Sequence, residues 1–128
     1  MGINPCTINI ITTWGGSEFI KMDIYSSELG MEFKIINIYA PCLNQAYLWT
    51  HLLNLSLVNS DNLILGGDLK FSIGYGESWG SNAHLDPLSD IMSHLLEQHQ
   101  LIDIPINKVH PTWHNRRTGD VALARCLD

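Results

Sequence analysis

A chain of 128 residues has room for one domain with a real core, and its composition, 45% hydrophobic and 16% charged, excludes intrinsic disorder. Thirteen acidic against seven basic residues give a formal charge of -6, so no overall positive field draws in nucleic acid. The basic residues Lys108, Arg116, Arg117 and Arg125 nevertheless gather towards the C-terminal end and leave a local basic face open.

Residues 8–13 form a weak strand candidate, because Ile10 and Ile11 do not alternate and Gly15-Gly16 breaks the run. Residues 19–25 alternate, with Ile20, Met22 and Ile24 on one face and Lys21 and Asp23 on the other, which predicts a half-buried strand. A polar segment with Gly30 follows, then the β-branched and aromatic run from Phe33 to Tyr39, so the two runs read as a hairpin. After Pro41, Leu48, Leu52 and Leu55 recur at helical spacing beside Trp49 and Leu53 and predict an amphipathic helix from Asn44 onward. Residues 62–65 read as a short buried strand ended by a tight turn at Gly66-Gly67, and residues 69–84 as a glycine-rich loop. Asp86 as N-cap, Pro87 at the first helical position and the stripe Leu88, Ile91, Met92, Leu95 and Leu96 predict a second helix. A short strand over 101–104 precedes Pro105, and the rest is polar as far as residues 121–127. Strands and helices interleave, so the expected architecture is one α/β layered domain over 1–128, with helices against mixed sheets.

Cys6, Cys42 and Cys126 contain no C-x-x-C pair, against both a disulfide framework and a zinc knuckle. No apolar run approaches the roughly 20 residues of a membrane span, and no secretory signal is seen. The expected setting is intracellular, nuclear or cytoplasmic.

The segment that carries chemistry is Leu63-Ile64-Leu65-Gly66-Gly67-Asp68-Leu69-Lys70. An Asp at the end of an apolar strand, among glycines, can hold a hard cation or orient a water; it can equally be a turn residue bonding its own backbone. A P-loop is excluded, since no G-K-[ST] follows. Tyr39, at the end of its strand, reads either as a site residue or as a cap on the core.

Several separated segments resemble one family in order. Asn37-Ile38-Tyr39-Ala40-Pro41 is similar to the strand motif of the endonuclease/exonuclease/phosphatase superfamily that ends in an active-site tyrosine. Gly67-Asp68-Leu69-Lys70 is similar to its Gly-Asp-aromatic-Asn motif. Pro111-Thr112-Trp113 with Arg116, and Leu123-Ala124-Arg125-Cys126-Leu127-Asp128, resemble the late Thr-Trp and Arg-Leu-Asp segments of non-LTR retrotransposon endonucleases. The resemblance covers about residues 19–128. It implies a four-layered α/β sandwich of the deoxyribonuclease-I-like kind, present in part, and Mg²⁺-assisted attack of water on a phosphodiester, with DNA as partner. By the same resemblance Asp68 orients the water, Tyr39 contacts the scissile phosphate, Thr112 lies at the substrate wall and Asp128 supports the hydrogen-bond network.

The match also implies a defect. The family's metal-binding Asn and Glu lie upstream of the matched region and its Ser-Asp-His lies downstream, so the expectation is a domain incomplete at both ends, with no metal ligand assigned. Glu18 has ligand chemistry but stands beside Gly15-Gly16 instead of in the family motif. His94 and His99 do not share a helix face, Pro111 argues against a helix aligning His110 with His114, and His51 and His84 are isolated. Lys70 stands where the family has a neutral amide, and an ammonium about 4 Å from a divalent cation repels it by roughly 8 kcal/mol at an effective dielectric near 20. The expected function is a retrotransposon-derived endonuclease-like fragment without catalytic activity. The alternatives are an active Mg²⁺-dependent DNA-nicking enzyme, or a non-catalytic interaction domain with Trp79 and Trp113 as contacts. Exposed strand edges and bare apolar faces are expected of a shortened sandwich.

Overall fold

A computed structural model describes residues 7–55, 57–58, 61–72, 77–80, 86–104 and 110–125. The chain divides into two compact units, Met1–Asp68 and Leu69–Asp128, each with its own sheet. The architecture is mixed α/β, with a four-stranded mixed sheet and two α-helices among the described residues.

In the first unit the strands β1 (Ile8–Gly15), β2 (Phe19–Ser26), β3 (Met31–Tyr39) and β4 (Leu63–Asp68) lie side by side in chain order. β1, β2 and β3 are antiparallel, whereas β4 runs parallel to β3 after the helix α1 (Gln45–Asn54). The β2–β3 hairpin follows from its two β-rich runs and the turn at Gly30, which has φ of 66°. β1 is a full strand although Ile10 and Ile11 break the apolar alternation: both are about half exposed, Ile10 on one face and Ile11 on the other, and the register against β2 steps between Ile10 and Thr12 in a β-bulge.

Paired residues share a face of a sheet. One face carries Phe19, Ile36 and Ile38, all buried, and towards its other end the polar set Lys21, Asp23 and Lys34. There Lys21 Nζ lies 2.7 Å from the Asp23 carboxylate and the Thr12 hydroxyl donates to it at 2.6 Å. The Lys21 contact first, and the Thr12 hydrogen bond second, hold the Asp23 carboxyl below its usual range. The opposite face carries Ile20, Met22 and Ile24, as alternation predicts, yet only Ile24 is buried and Ile20, Ile10 and Ile64 are 48 to 50% exposed. The buried set is completed by α1, whose Leu48, Trp49 and Leu52 are fully buried; each such side chain contributes about 2 kcal/mol through removal of apolar surface from water.

β4 corrects the sequence expectation. The strand does not end at Gly66-Gly67 but runs through both glycines to Asp68, in register with Asn37, Ile38 and Tyr39 of β3. Gly67 has φ of +131°, and a Cβ there would stand 2.0 Å from the Ile38 carbonyl oxygen. Glycine is required at this point by close backbone approach within a sheet, where the sequence suggested a turn.

The second unit holds β5 (Ser78–Trp79), α2 (Ser89–Gln98), β6 (Trp113–His114) and β7 (Ala124–Arg125). β7 is central in an antiparallel sheet ordered β5-β7-β6. Leu88, Met92 and Leu95 are buried, as the helical stripe predicts, while Ile91 of the same stripe is exposed. The helix starts later than expected: its N-cap is Leu88, without a side-chain cap bond, so Asp86 and Pro87 precede it. Asp86 instead shapes the preceding turn, its carboxylate accepting from the Leu88 amide at 3.0 Å and its carbonyl from the Ser89 amide at 2.9 Å. The same carboxylate meets the Arg125 guanidinium at 3.0 Å, with both side chains largely out of solvent. No strand forms over 101–104, where Ile102 and Ile104 are more than 80% exposed. β5 arises inside the stretch read as loop.

Candidate functional site

Tyr39 and Asp68 are the last residues of β3 and β4 and stand opposite one another in the parallel ladder. The two chemistry-bearing residues of separate motifs are therefore brought to one face at one end of the sheet, the C-terminal end of both strands. The backbone grips β3 there from both sides: the Tyr39 amide donates to the Glu18 carbonyl at 2.7 Å, and the Ala40 amide to the Asp68 carbonyl at 2.9 Å. Glu18, in the bend immediately before β2, is thus brought beside Tyr39 through the backbone, next to the Tyr39–Asp68 pair. Tyr39 is 62% exposed, which disposes of the alternative that its ring caps the core. The local order in sequence that builds this end is an apolar strand, a glycine where backbones meet, and a carboxylate at the last paired position.

Lys70 and Thr112 belong to the second unit, and Asp128 lies outside the described residues. Lys70 adopts a left-handed backbone conformation, φ of 57°. That region suits Asn far better than a long side chain, so the residue type found at this place in the resembled motif is also the one the backbone favours. Thr112 is exposed and its amide donates to the Arg125 carbonyl at 2.9 Å, which fixes the chain as it enters β6.

The second unit contains an open cleft of about 550 Å³ walled by Trp79 and Gly80 on one side and by the β6–β7 hairpin on the other. Asn115 organises that hairpin. Its amide nitrogen Nδ2 donates to the Val121 carbonyl at 2.7 Å, and its Oδ1 accepts from the amides of Arg117 and Leu123, each at 3.1 Å. Gly80 lets the opposite wall approach, since a Cβ there would stand 2.2 Å from the Ala122 carbonyl oxygen. His114, Arg116 and Arg117 line the cleft together with Trp79, and no carboxylate is among its described lining residues. The surface of the cleft is mostly apolar. The sequence pointed to Arg116 and Arg117; Trp79 and His114 join them only through the pairing of β5 and β6 with β7, for which two-residue strands give no periodic signal.

The remaining candidates lie apart. His51 stacks on Tyr47 with ring centroids 6.1 Å apart, Cys42 is exposed, and Trp113 is 42% exposed. Among the described residues no three His, Cys, Asp or Glu side chains converge to hold a metal ion, and no helix is long and apolar enough to cross a membrane. Neither the protein-family models nor the curated proteins contain a match to the chain.

Proposed function

We propose that the chain is an endonuclease/exonuclease/phosphatase-like domain of the non-LTR retrotransposon type, a partial four-layered α/β sandwich, that contacts nucleic acid without cleaving it. The observation that carries the reading is the in-register pairing of Tyr39 with Asp68 at the ends of adjacent parallel strands. A β-α-β crossover brings the two strand ends together in any case; what supports the reading is that the tyrosine of one motif and the aspartate of the other occupy those ends. The cleft lined by Trp79, His114, Arg116 and Arg117 supports a phosphate-bearing partner, DNA by family implication.

Mg²⁺ is the ion the resemblance implies. It demands near-octahedral oxygen coordination, and the donors offered beside Tyr39 are Asp68 and Glu18, two strand spacings or roughly 10 Å apart at the backbone. Lys70 adds an ammonium two residues after Asp68. That donor set does not fit the ion, and absence of cleavage follows. One observation favours the competing reading of metal-dependent cleavage: Glu18 is brought next to the Tyr39–Asp68 pair.

A supercoiled-plasmid nicking assay with and without Mg²⁺ separates the two. The expected result is no metal-dependent open circles from the wild type, from Asp68→Ala or from Lys70→Asn. Metal-dependent nicking by the wild type that disappears in Asp68→Ala would replace this reading with that of an active enzyme.

A further inference from the structure

β1 is the terminal strand of its sheet, and among the described residues no strand pairs with its outer edge. Every residue from Asn9 to Gly15 is exposed. Natural edge strands are usually protected by Lys, Pro, an inward charge or a bulge; the sequence Ile-Asn-Ile-Ile-Thr-Thr-Trp-Gly has none of the first three, and the bulge between Ile10 and Thr12 is the one such device β1 carries. In a chain of net charge -6, this uncharged edge is where two copies approach without like charges meeting.

The bulge gives the edge a further property. The register step sets Ile11 and Thr12 together opposite Asp23, so their side chains share the Asp23 face. The hydrogen bond from the Thr12 hydroxyl to Asp23 and the contact of Trp14 with Phe19, ring centroids 5.4 Å apart, both fall on that face. Asn9, Ile11, Thr12 and Trp14 thus occupy one face, and Ile8, Ile10, Thr13 and Gly15 the other. This order of faces reads the same from either end. Residues opposite each other in an antiparallel pair share a face, and a regular strand of this even length is mismatched when laid full length against a reversed copy of itself. The bulge removes the mismatch and makes β1 its own complement.

We propose that two copies of the chain associate through β1, antiparallel about a twofold axis between Ile11 and Thr12, joining their four-stranded sheets into one. Ile11 then opposes Thr12 of the second copy, Ile10 opposes Thr13, Asn9 opposes Trp14 and Ile8 opposes Gly15. The interface is isologous and closes at two. A strand pair alone buries less than the roughly 1,200 Å² of a stable interface, so the dimer is weak and concentration-dependent.

Sedimentation velocity of the full chain over a concentration series tests this, with Ile11→Lys and Ile11→Glu as variants at an exposed position near the axis. The wild type is expected to interconvert reversibly between monomer and dimer. Each variant alone associates at least about tenfold more weakly, because like charges meet across the axis, and an equimolar mixture of the two recovers the dimer, which a mere loss of fold would not allow. Amide exchange over Ile8–Gly15 in the wild type slows as concentration rises, a readout that needs no substitution. A wild type that stays monomeric, one that grows beyond two copies, a variant that dimerises like the wild type, a mixture that does not recover, or exchange independent of concentration overturns the proposal.

Discussion

The unit ending at Asp68 is ordered by long ladders: strands of six to nine residues, pairing neighbour with neighbour, and a helix that buries Leu48, Trp49 and Leu52. Among the described residues, the unit that follows has only two-residue strands, tied by specific polar contacts between residues far apart in sequence. Asp86 joins α2 to β7 through Arg125, and Asn115 ties the ends of the β6–β7 hairpin. Many weak, redundant interactions tolerate substitution; a few buried charged ones do not.

The comparison breaks most readily at Asp86. Asp86→Ala leaves Arg125 buried beside its strand without its carboxylate and removes the bond to Leu88, and should lower stability by about 4 kcal/mol. Amide exchange should locate the loss in the second unit, with the β2–β3 ladder retaining its protection. Next comes Gly67→Ala, which brings a Cβ against the Ile38 carbonyl and should cost about 2 to 3 kcal/mol in denaturant unfolding, now loosening β4 from β3. Lys70→Asn works in the other direction: the left-handed backbone at position 70 favours Asn, and a stabilisation of about 1 kcal/mol is expected. The smallest effect concerns acid. The Asp23 carboxyl is held below its usual range in the folded chain, so its contribution is present above the unfolded value near 3.8 and is lost as pH falls through the lowered folded value. Asp23→Asn should flatten the pH dependence of stability in that acidic window and leave it unchanged near neutrality.

The first unit was largely legible in sequence because its signals are local. Alternation from Ile20 to Ile24, the run from Phe33 to Tyr39 and the leucine spacing from Leu48 to Leu52 each report burial within a few residues. The pair Ile10-Ile11 did not disclose the bulge: the consecutive residues that share a side are Ile11 and Thr12, and only the pairing with β2 reveals it. Gly66-Gly67 misled for a reason local reading cannot reach: the same residue that permits a turn permits a close parallel neighbour, and only the position of β3 decides. The sheet of the second unit was not legible, because strands of two residues have no period. The apolar stretch 101–104 resembled a strand but has no partner among the described residues. At the candidate site, Tyr39 and Asp68 were found by motif and Arg116 and Arg117 by charge; Glu18, Trp79 and His114 were noticed by residue type, but which residues they stand beside came only from pairing across strands.

The two regions divide the functional account as they divide the fold. The proposed function assigns a phosphodiester site to the strand-end pair of the first and contact with nucleic acid to the arginine-bearing cleft of the second. Fluorescence anisotropy with a labelled DNA duplex over a range of salt concentrations tests that account most directly, comparing the wild type with Arg116→Ala/Arg117→Ala. Both arginines are exposed, so the fold should survive their removal. The account predicts salt-sensitive binding by the wild type and, in the double variant, weaker binding with a salt slope shallower by about 2. Binding that is absent in the wild type, or unchanged in affinity and slope when both arginines are removed, would contradict it.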